Sequence, residues 1–434
     1  MENQTRLALA GQDVDRCYHS IVPPIYQTAI FKFKDIGETA GFDYTRSGNP
    51  TRKALEDVLA DLDGGAGAVA TSSGMGAIST ILSTLDAGSH VICSHDCYGG
   101  TERLLTRLND QNKLDVSFVD LTDPRNLKTE IRENTRMLWI ETPSNPLLRI
   151  VEIQSVAAIA KQAGLLVVVD NTFLSPLLQR PIELGADYVV YSTTKYINGH
   201  SDVVGGAVVA ATDKLDEEIQ FAANAHGTIA QPFDCWLVLR GLKTLPLRLK
   251  QHEANAHAVA NALARHPAVK KVYYPGLTDH EGHETAVLQQ KGFGGMVSFE
   301  VYGEVEDVFT VLKNTRIFAL AESLGGIESL IEHPATMSHA SMRAEQREAA
   351  GITDAVIRLS VGIEDASDLV SDLYQALDLI IDRHVSERRL SESHVPEGRL
   401  SESHLPEGHD PACHDPERHL PEGNSVHAGV PDIR

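Results

Sequence analysis

Two residues placed just past apolar runs offer this sequence its chemistry. Val189-Val190-Tyr191 leads into Ser192-Thr193-Thr194-Lys195-Tyr196, so a lysine follows two hydroxyl-bearing residues, Ser192 and Thr194. Upstream, Leu165-Leu166-Val167-Val168-Val169 ends in Asp170-Asn171-Thr172. Both runs read as buried strands. An acid and a lysine thus stand at C-terminal strand ends, where open α/β sheets bind their ligands. A lysine there can form a Schiff base, and an aspartate can keep a pyridinium nitrogen protonated. Together these are a protein's share of pyridoxal phosphate (PLP) chemistry. Taken singly, such a lysine is usually a solvated loop residue and such an aspartate often a helix cap. The motifs around them decide.

Ala66-Gly67-Ala68-Val69-Ala70 reads as a strand, Thr71-Ser72-Ser73-Gly74-Met75-Gly76 as a small-residue loop, and Ala77 to Leu85 as a helix. Strand, glycine loop and helix N-terminus form a natural phosphate cradle. A dinucleotide site would need G-x-G-x-x-G, but Ser79 stands where the third glycine belongs, so a single phosphate fits better. Other motifs are Tyr44-Thr45-Arg46-Ser47-Gly48-Asn49-Pro50-Thr51, Asp96-Cys97-Tyr98-Gly99-Gly100 and Glu141-Thr142-Pro143-Ser144-Asn145-Pro146. Toward the C-terminus come Glu322-Ser323-Leu324-Gly325-Gly326 and Arg358-Leu359-Ser360-Val361-Gly362. Asn49-Pro50 is turn chemistry, and Thr51 is read as the cap of the helix carrying Leu55, Val58, Leu59 and Leu62. Alone, Tyr98 would be an ordinary loop aromatic and Arg358 an edge-strand partner in a surface ion pair.

Together these stretches resemble the Cys/Met-metabolism family of PLP enzymes, the trans-sulfuration enzymes, from about Thr5 to about Asp382. The resemblance implies an α/β protein of PLP fold type I, with a mostly parallel central sheet and a smaller α+β C-terminal domain. It implies that Lys195 binds the cofactor, that Asp170 faces the ring nitrogen with Thr172 beside it, and that Tyr98 stacks on the ring and shifts protons. Gly74, Met75, Ser192 and Thr194 would hold the phosphate. Tyr44 and Arg46 would reach the phosphate of a neighbouring subunit, a task suited to the planar guanidinium fork. Asn145 and Arg358 would orient a substrate carboxylate, with Glu322 and Ser323 in the substrate wall. The implied assembly is a dimer of dimers acting on small amino acids, with active sites shared across each dimer. Within the family the chain looks most like the γ-synthase branch, which joins cysteine to an O-acylated homoserine, with the cystathionine-cleaving γ-lyase branch next. Ser47 departs from those synthases that carry a second arginine there.

The elements needed to position these residues divide the chain into an arm (1–50), a PLP-binding α/β domain (51–250), an α+β domain (251–384) and a tail (385–434). The arm contains the stiff Val22-Pro23-Pro24-Ile25-Tyr26 and no core of its own, so another subunit is its expected resting surface. Strands are expected at Val116–Asp120, Arg136–Thr142 and Gly205–Ala210, alternating with helices such as Ile153–Ala163. A helix at Gln251–Arg265 should open the smaller domain. That domain should hold strands at Lys271–Tyr274, Gly295–Val301, Ile317–Ala319 and Val356–Val361, and helices at Glu304–Lys313 and Ser367–Ile381. In the tail, Arg389 to Gly398 repeats almost identically as Arg399 to Gly408. Its Pro, Gly, Ser, Glu and His cannot bury enough apolar surface to offset ordering entropy, so disorder is expected there.

With 434 residues, 42% hydrophobic and 23% charged, the chain fits one or two globular domains. A formal charge of −22 argues against nucleic-acid or anionic-membrane partners. Five irregularly spaced cysteines suggest a reducing, cytoplasmic setting rather than a disulfide framework. Cys93, His95 and Cys97 lack a second ligand pair, so buried thiols are favoured over a metal site, and no metal is expected. No run reaches membrane-spanning length. Two other readings are a nicotinamide-dependent dehydrogenase, disfavoured by Ser79, and a tail-mediated binding protein, disfavoured because the tail is an appendage.

Overall fold

The computed structural model describes residues 1–340, 342 and 344–393. Seven strands form the main sheet: β1 (Gly67–Thr71), β2 (Ser89–Ser94), β3 (Leu114–Val119), β4 (Thr135–Glu141), β5 (Leu166–Asp170), β6 (Tyr188–Tyr191) and β7 (Gly206–Ala210). Their order is β1-β7-β6-β5-β4-β2-β3. All neighbours are parallel except β7, which runs antiparallel to β1 and β6. Near-continuous apolar runs build such strands because helices cover both faces of a parallel sheet. Alternate residues divide accordingly. Leu138, Ile140, Val167, Val169 and Val189 pack into one core, while Met137, Trp139, Val168 and Val190 pack into the other. Cys93 and Cys97 are free thiols fully buried in the second core.

The C-terminal ends of β4, β5 and β6 lie side by side, with Glu141 opposite Asp170 and Asp170 opposite Val190. That register brings the two stretches carrying Asp170 and Lys195 to one edge.

The smaller sheet contains β8 (Val269–Tyr273), β9 (Met296–Val301), β10 (Ala319–Leu320), β11 (Leu330–Glu332) and β12 (Val356–Ser360), in the order β10-β11-β12-β9-β8. Only β10 and β11 pair in parallel. Val297, Phe299, Ile331, Ile357 and Leu359 give this sheet its own core. β11 is absent from the sequence expectations: with three residues it has no readable alternation, and only pairing to β12 defines it.

The helix expected from Gln251 instead spans Leu245–Leu263. Pro246 is tolerated because it falls in the first turn. This one helix places Leu245 and Leu249 in the main core and Ala256, Val259, Ala260 and Leu263 in the smaller one. The expected division at 250/251 therefore falls within a helix.

The arm begins with a short helix, Asn3–Leu9, anchored by the fully buried Leu7. Asn49, not Thr51, caps the helix Pro50–Asp63, accepting from the N–H groups of Thr51 and Arg52. The Thr51 hydroxyl instead fastens the arm: it accepts from the Tyr26 N–H at 2.9 Å and donates to the Pro24 carbonyl at 3.0 Å. Much of the arm's apolar surface is uncovered, including Tyr18, Ile21, Ile30 and Ile36.

Met1–Ser386 forms one compact unit. The last helix, Ala366–Ser393, runs past the expected end at Ile381 because no glycine or proline intervenes before Pro396. The repeat residues beyond Ser393 lie outside the described residues. No helix of the described residues is long and apolar enough to cross a membrane.

Candidate active site

A cavity of about 640 Å³ opens over the strand ends, lined from the main sheet by Gly74, Met75, Tyr98, Asn145, Asp170, Thr172, Ser192, Thr194 and Lys195. From the C-terminal part, Glu322, Ser323 and Arg358 complete it. Twelve residues singled out from the sequence therefore meet in one place.

Two of the fourteen do not. Tyr44 and Arg46 line a separate depression with Gln27, Thr28, Ala29, Gly227 and Ile229. Arg46 Nη1 donates to the carbonyl and side-chain oxygens of Asn224, at 2.6 and 2.9 Å, and Tyr44 is 45% exposed.

The phosphate-sized part begins at the helix Gly74–Leu82. Its cap is Ser73, whose hydroxyl accepts from the Gly76 N–H at 3.0 Å. Gly74 lies close to the lysine loop: a Cβ there would sit 3.0 Å from Ser192 Cβ, so that loop would have to give way slightly. Thr194 is held in place by two bonds with Gly205, donating to its carbonyl and accepting from its N–H. A helix N-terminus with two flanking hydroxyls can receive a dianion.

Asp170 Oδ1 accepts from the Thr172 N–H at 3.1 Å and from its hydroxyl at 2.6 Å. Thr172 Oγ1 in turn accepts from the Ser192 N–H at 2.9 Å, so it ties the Asp170 loop to the Lys195 loop. Burial pushes the Asp170 carboxyl up from its ordinary pKa, opposed by the bonds from Thr172. A cation seated beside the carboxylate would reverse that shift.

Lys195 Nζ donates to Ser323 Oγ at 2.7 Å. Burial lowers its pKa to about 8, helped by the positive charge of Arg358. An amine with that pKa is available as a nucleophile near neutral pH. Ser323 has φ of 91°, unusual for a residue with a side chain, and its carbonyl accepts from Arg358 Nη2 at 2.7 Å. The strained residue thus bridges the lysine and the arginine. Two residues on, Gly325 has φ of 75°, and a Cβ there would fall 2.5 Å from the Tyr196 nitrogen. Only glycine lets this turn lie against the lysine loop.

Arg358 is buried on β12. Its Nη1 donates to Asn145 Oδ1 at 3.0 Å and pairs with Glu332 Oε1 at 2.9 Å. The Nε of Arg358 and the Oε2 of Glu332 are buried without a partner. Glu332 lies directly opposite Arg358 in the β11–β12 register and also accepts from Ser338 Oγ at 2.5 Å. Burial raises its pKa, with Arg358 opposing. Sequence reasoning missed Glu332 because its strand was not visible. It also missed Glu141, Arg103 and Ser338 in the cavity wall. Glu141 stood in a quoted motif, but nothing in its spacing marked it as facing Asp170.

Tyr98 is 41% exposed over the cavity, and its N–H donates to Glu141 Oε2 at 2.8 Å. Burial raises its phenol pKa. The donor set as a whole fits PLP: a depressed lysine, a buried carboxylate favouring a cation, a flat aromatic face and a helix N-terminus with hydroxyls.

Comparison with known proteins agrees. A model of the Cys/Met metabolism PLP-dependent enzyme family matches residues 4–378. The cystathionine gamma-lyase of Bacillus subtilis is 46% identical over 377 residues, covering 87% of this chain and 99% of that protein. The cystathionine beta-lyase of Lactococcus lactis subsp. cremoris is 48% identical over 374 residues, covering 86% and 98%. The crystal structure of cystathionine gamma synthase from Xanthomonas oryzae pv. oryzae in complex with cystathionine superposes with a TM-score of 0.86 at 51% identity, covering 87% of this chain and 98% of that one.

Proposed function

The chain belongs to the Cys/Met metabolism PLP-dependent enzyme family, and we propose that within it the protein is a cystathionine γ-synthase, joining cysteine to O-succinyl- or O-acetylhomoserine. The observation carrying this reading is the pairing of acid and base in the substrate wall. Glu322 lines the cavity beside Ser323, which holds Lys195 and whose carbonyl accepts from Arg358, a second lining residue. An arginine takes the carboxylate of an amino acid, and a nearby carboxylate takes the ammonium at the far end of a product such as cystathionine. The likeness to the Xanthomonas oryzae synthase supports the same choice.

In this reading Lys195 Nζ would hold the cofactor covalently, Asp170 its ring nitrogen, and Gly74, Met75, Ser192 and Thr194 its phosphate. Tyr44 and Arg46 of a second copy would complete the phosphate site. Bound PLP supplies a sink for the electrons left on the substrate Cα when its proton departs. The Lys195 amine would remove the Cα proton and move protons at Cβ, which would permit the γ-substituent to leave. Its low pKa lets it serve as both acid and base near pH 8. Asn145 and Arg358 fix the substrate carboxylate, and Tyr98 covers the ring face and excludes water. The copies would assemble as a dimer of dimers, burying the apolar arm. Free thiols at Cys17, Cys93, Cys97 and Cys235 suit the reducing cytoplasm.

A second reading, cystathionine γ-lyase, is favoured by Ser47. This residue hydrogen-bonds Asp43 and adds no cation beside Arg46 for a succinyl carboxylate. The deciding measurement compares kcat/KM for either acylated homoserine plus cysteine with kcat/KM for cystathionine alone. Faster condensation is expected. Efficient release of cysteine and 2-oxobutanoate from cystathionine, with negligible condensation, would replace the synthase reading with the lyase.

A further inference from the structure

The helix Leu245–Leu263 carries three buried polar side chains, Arg248, His252 and Asn255, at the spacing of one helical face. Arg248 directs its guanidinium mainly at backbone carbonyls. Its Nη1 donates to the Tyr196 carbonyl at 2.7 Å, and its Nη2 to the carbonyls of Gly241 at 2.9 Å and Ile197 at 3.3 Å. Its Nε donates to Thr244 Oγ1 at 3.2 Å. Tyr196 and Ile197 directly follow Lys195, and among the described residues no backbone N–H reaches either of their carbonyls. From the same helix, His252 and Asn255 hold the chain beyond Arg358. His252 Nδ1 donates to the Val361 carbonyl at 2.7 Å, and Asn255 Nδ2 to the carbonyls of Gly362 and Glu364 at 3.0 and 2.7 Å.

We propose that Arg248 is a positioning residue for Lys195, whose guanidinium clamps the two carbonyls that follow the lysine to the helix Leu245–Leu263 and so holds the amine in the cavity. The proposal rests on the PLP reading for what Lys195 does there; the clamp itself stands on four hydrogen bonds. Arg248 does not line the cavity, so it acts through the lysine loop and not on a substrate. Among the described residues its hydrogen-bond partners are all uncharged. A buried charge without a counter-ion is costly, and only converging dipoles such as these carbonyls offset it. Burial lowers its pKa to about 10, so the guanidinium stays charged and donates through every N–H near neutral pH. The planar fork reaches Tyr196, Ile197 and Gly241 together, whereas an ammonium is a single point that cannot span them. Close packing supports the same seating. A Cβ on Gly241 would lie 2.3 Å from the Asn198 carbonyl oxygen, so the lysine loop rests directly on the last turn of the preceding helix, Pro232–Leu242.

The test uses the PLP-loaded enzyme and its Arg248→Met and Arg248→Lys variants. Amide hydrogen exchange is followed at Asn198 and Gly199, whose N–H groups donate to the Thr193 and Lys195 carbonyls, with β2 as the reference for overall stability. In Arg248→Met, exchange at these two amides should accelerate at least about tenfold more than in β2. kcat should fall at least about tenfold with KM changed less than about twofold, because the proton carrier is displaced while the substrate wall is not. Arg248→Lys keeps the charge and one carbonyl contact, and should lie between Arg248→Met and the wild type on both readouts. A folded Arg248→Met enzyme whose loop amides accelerate no more than β2, or whose kcat is that of the wild type, overturns the proposal. If that variant does not fold, an Arg248→Lys enzyme with wild-type loop exchange and kcat overturns it. Borohydride fixation of the chromophore onto Lys195 in the wild type is a separate check on the PLP reading. Its failure removes that reading and leaves the clamp to be judged on the exchange result alone.

Discussion

The amine of Lys195 lies 2.7 Å from the hydroxyl of Ser323, a residue 128 positions further along the chain and held at φ of 91°. The lysine is thus held by a neutral partner, and the charge that acts on it most is the like charge of Arg358. A carboxylate in Ser323's place would raise the lysine pKa; a hydroxyl leaves burial free to lower it.

That arrangement sets a pH range. With its pKa at about 8, Lys195 is mostly ammonium below that pH and mostly free amine above it. Acylation of Lys195 in the cofactor-free protein by a small reagent, mapped by mass spectrometry, should therefore rise with a midpoint near pH 8. Exposed lysines should still be climbing near pH 10. A Lys195 midpoint matching theirs would contradict the burial argument.

Lys195→Ala should lower turnover by at least about 10³-fold, because the residue is both the attachment point and the proton carrier. Binding of PLP should persist in weakened form, since the phosphate cradle at Gly74 and Ser192 belongs to other residues. Dialysis against free cofactor, with absorbance of the retained fraction, measures this. Undiminished elimination or replacement by the variant would show that another base does the work.

Tyr44 and Arg46 lie in a depression of their own, and in the proposed reading they complete the phosphate site of a second copy. Arg46→Ala and Lys195→Ala enzymes should each be nearly inactive. After subunit exchange, mixtures should regain up to about a quarter of wild-type activity, the statistical share of intact sites in random dimers. Hybrids as inactive as their parents, with exchange demonstrated by mass, would overturn the shared-site arrangement, in which Arg46 serves its neighbour's site.

Asp63 is fully buried beneath this edge of the sheet and accepts from the Tyr191 hydroxyl at 2.8 Å, while its other oxygen has no partner. Burial raises its pKa to about 7 from the ordinary 3.8. The folded protein then holds a proton that the unfolded chain has lost between these values, so this residue makes stability fall as pH rises through that window. The full effect is at most about 4 kcal/mol, at 1.36 kcal/mol per unit. Asp63→Asn keeps an acceptor for Tyr191 and removes the titration. Unfolding free energies in urea should show the variant gaining on the wild type between about pH 4 and pH 7. A stability difference independent of pH would refute the assignment.

Asp170 was legible because it ends the apolar run Leu165 to Val169, and Lys195 because its hydroxyl-bearing loop follows the shorter apolar run Val189-Val190-Tyr191. The phosphate cradle was legible for a similar reason: strand, glycine loop and helix are contiguous. Glu332 and Glu141 were not. Glu332 belongs to a three-residue strand that exists only through its pairing with β12, and Glu141's importance comes from facing Asp170 in a register the sequence does not spell out. The cap at Asn49 was misassigned to Thr51 because both residue types cap helices. The choice was made by the Thr51 hydroxyl turning to the arm, a contact more than twenty residues away.

The helix Leu245–Leu263 penetrates both cores with one uninterrupted backbone. Melting either end would strip the other of its packing, and a helix fragment of two or three turns has little stability alone. The two sheets are therefore coupled like beams on a common axle. Heat should take them apart in one calorimetric event, and any slight swing between them must bend the axle or roll it, moving Arg358 and Lys195 together.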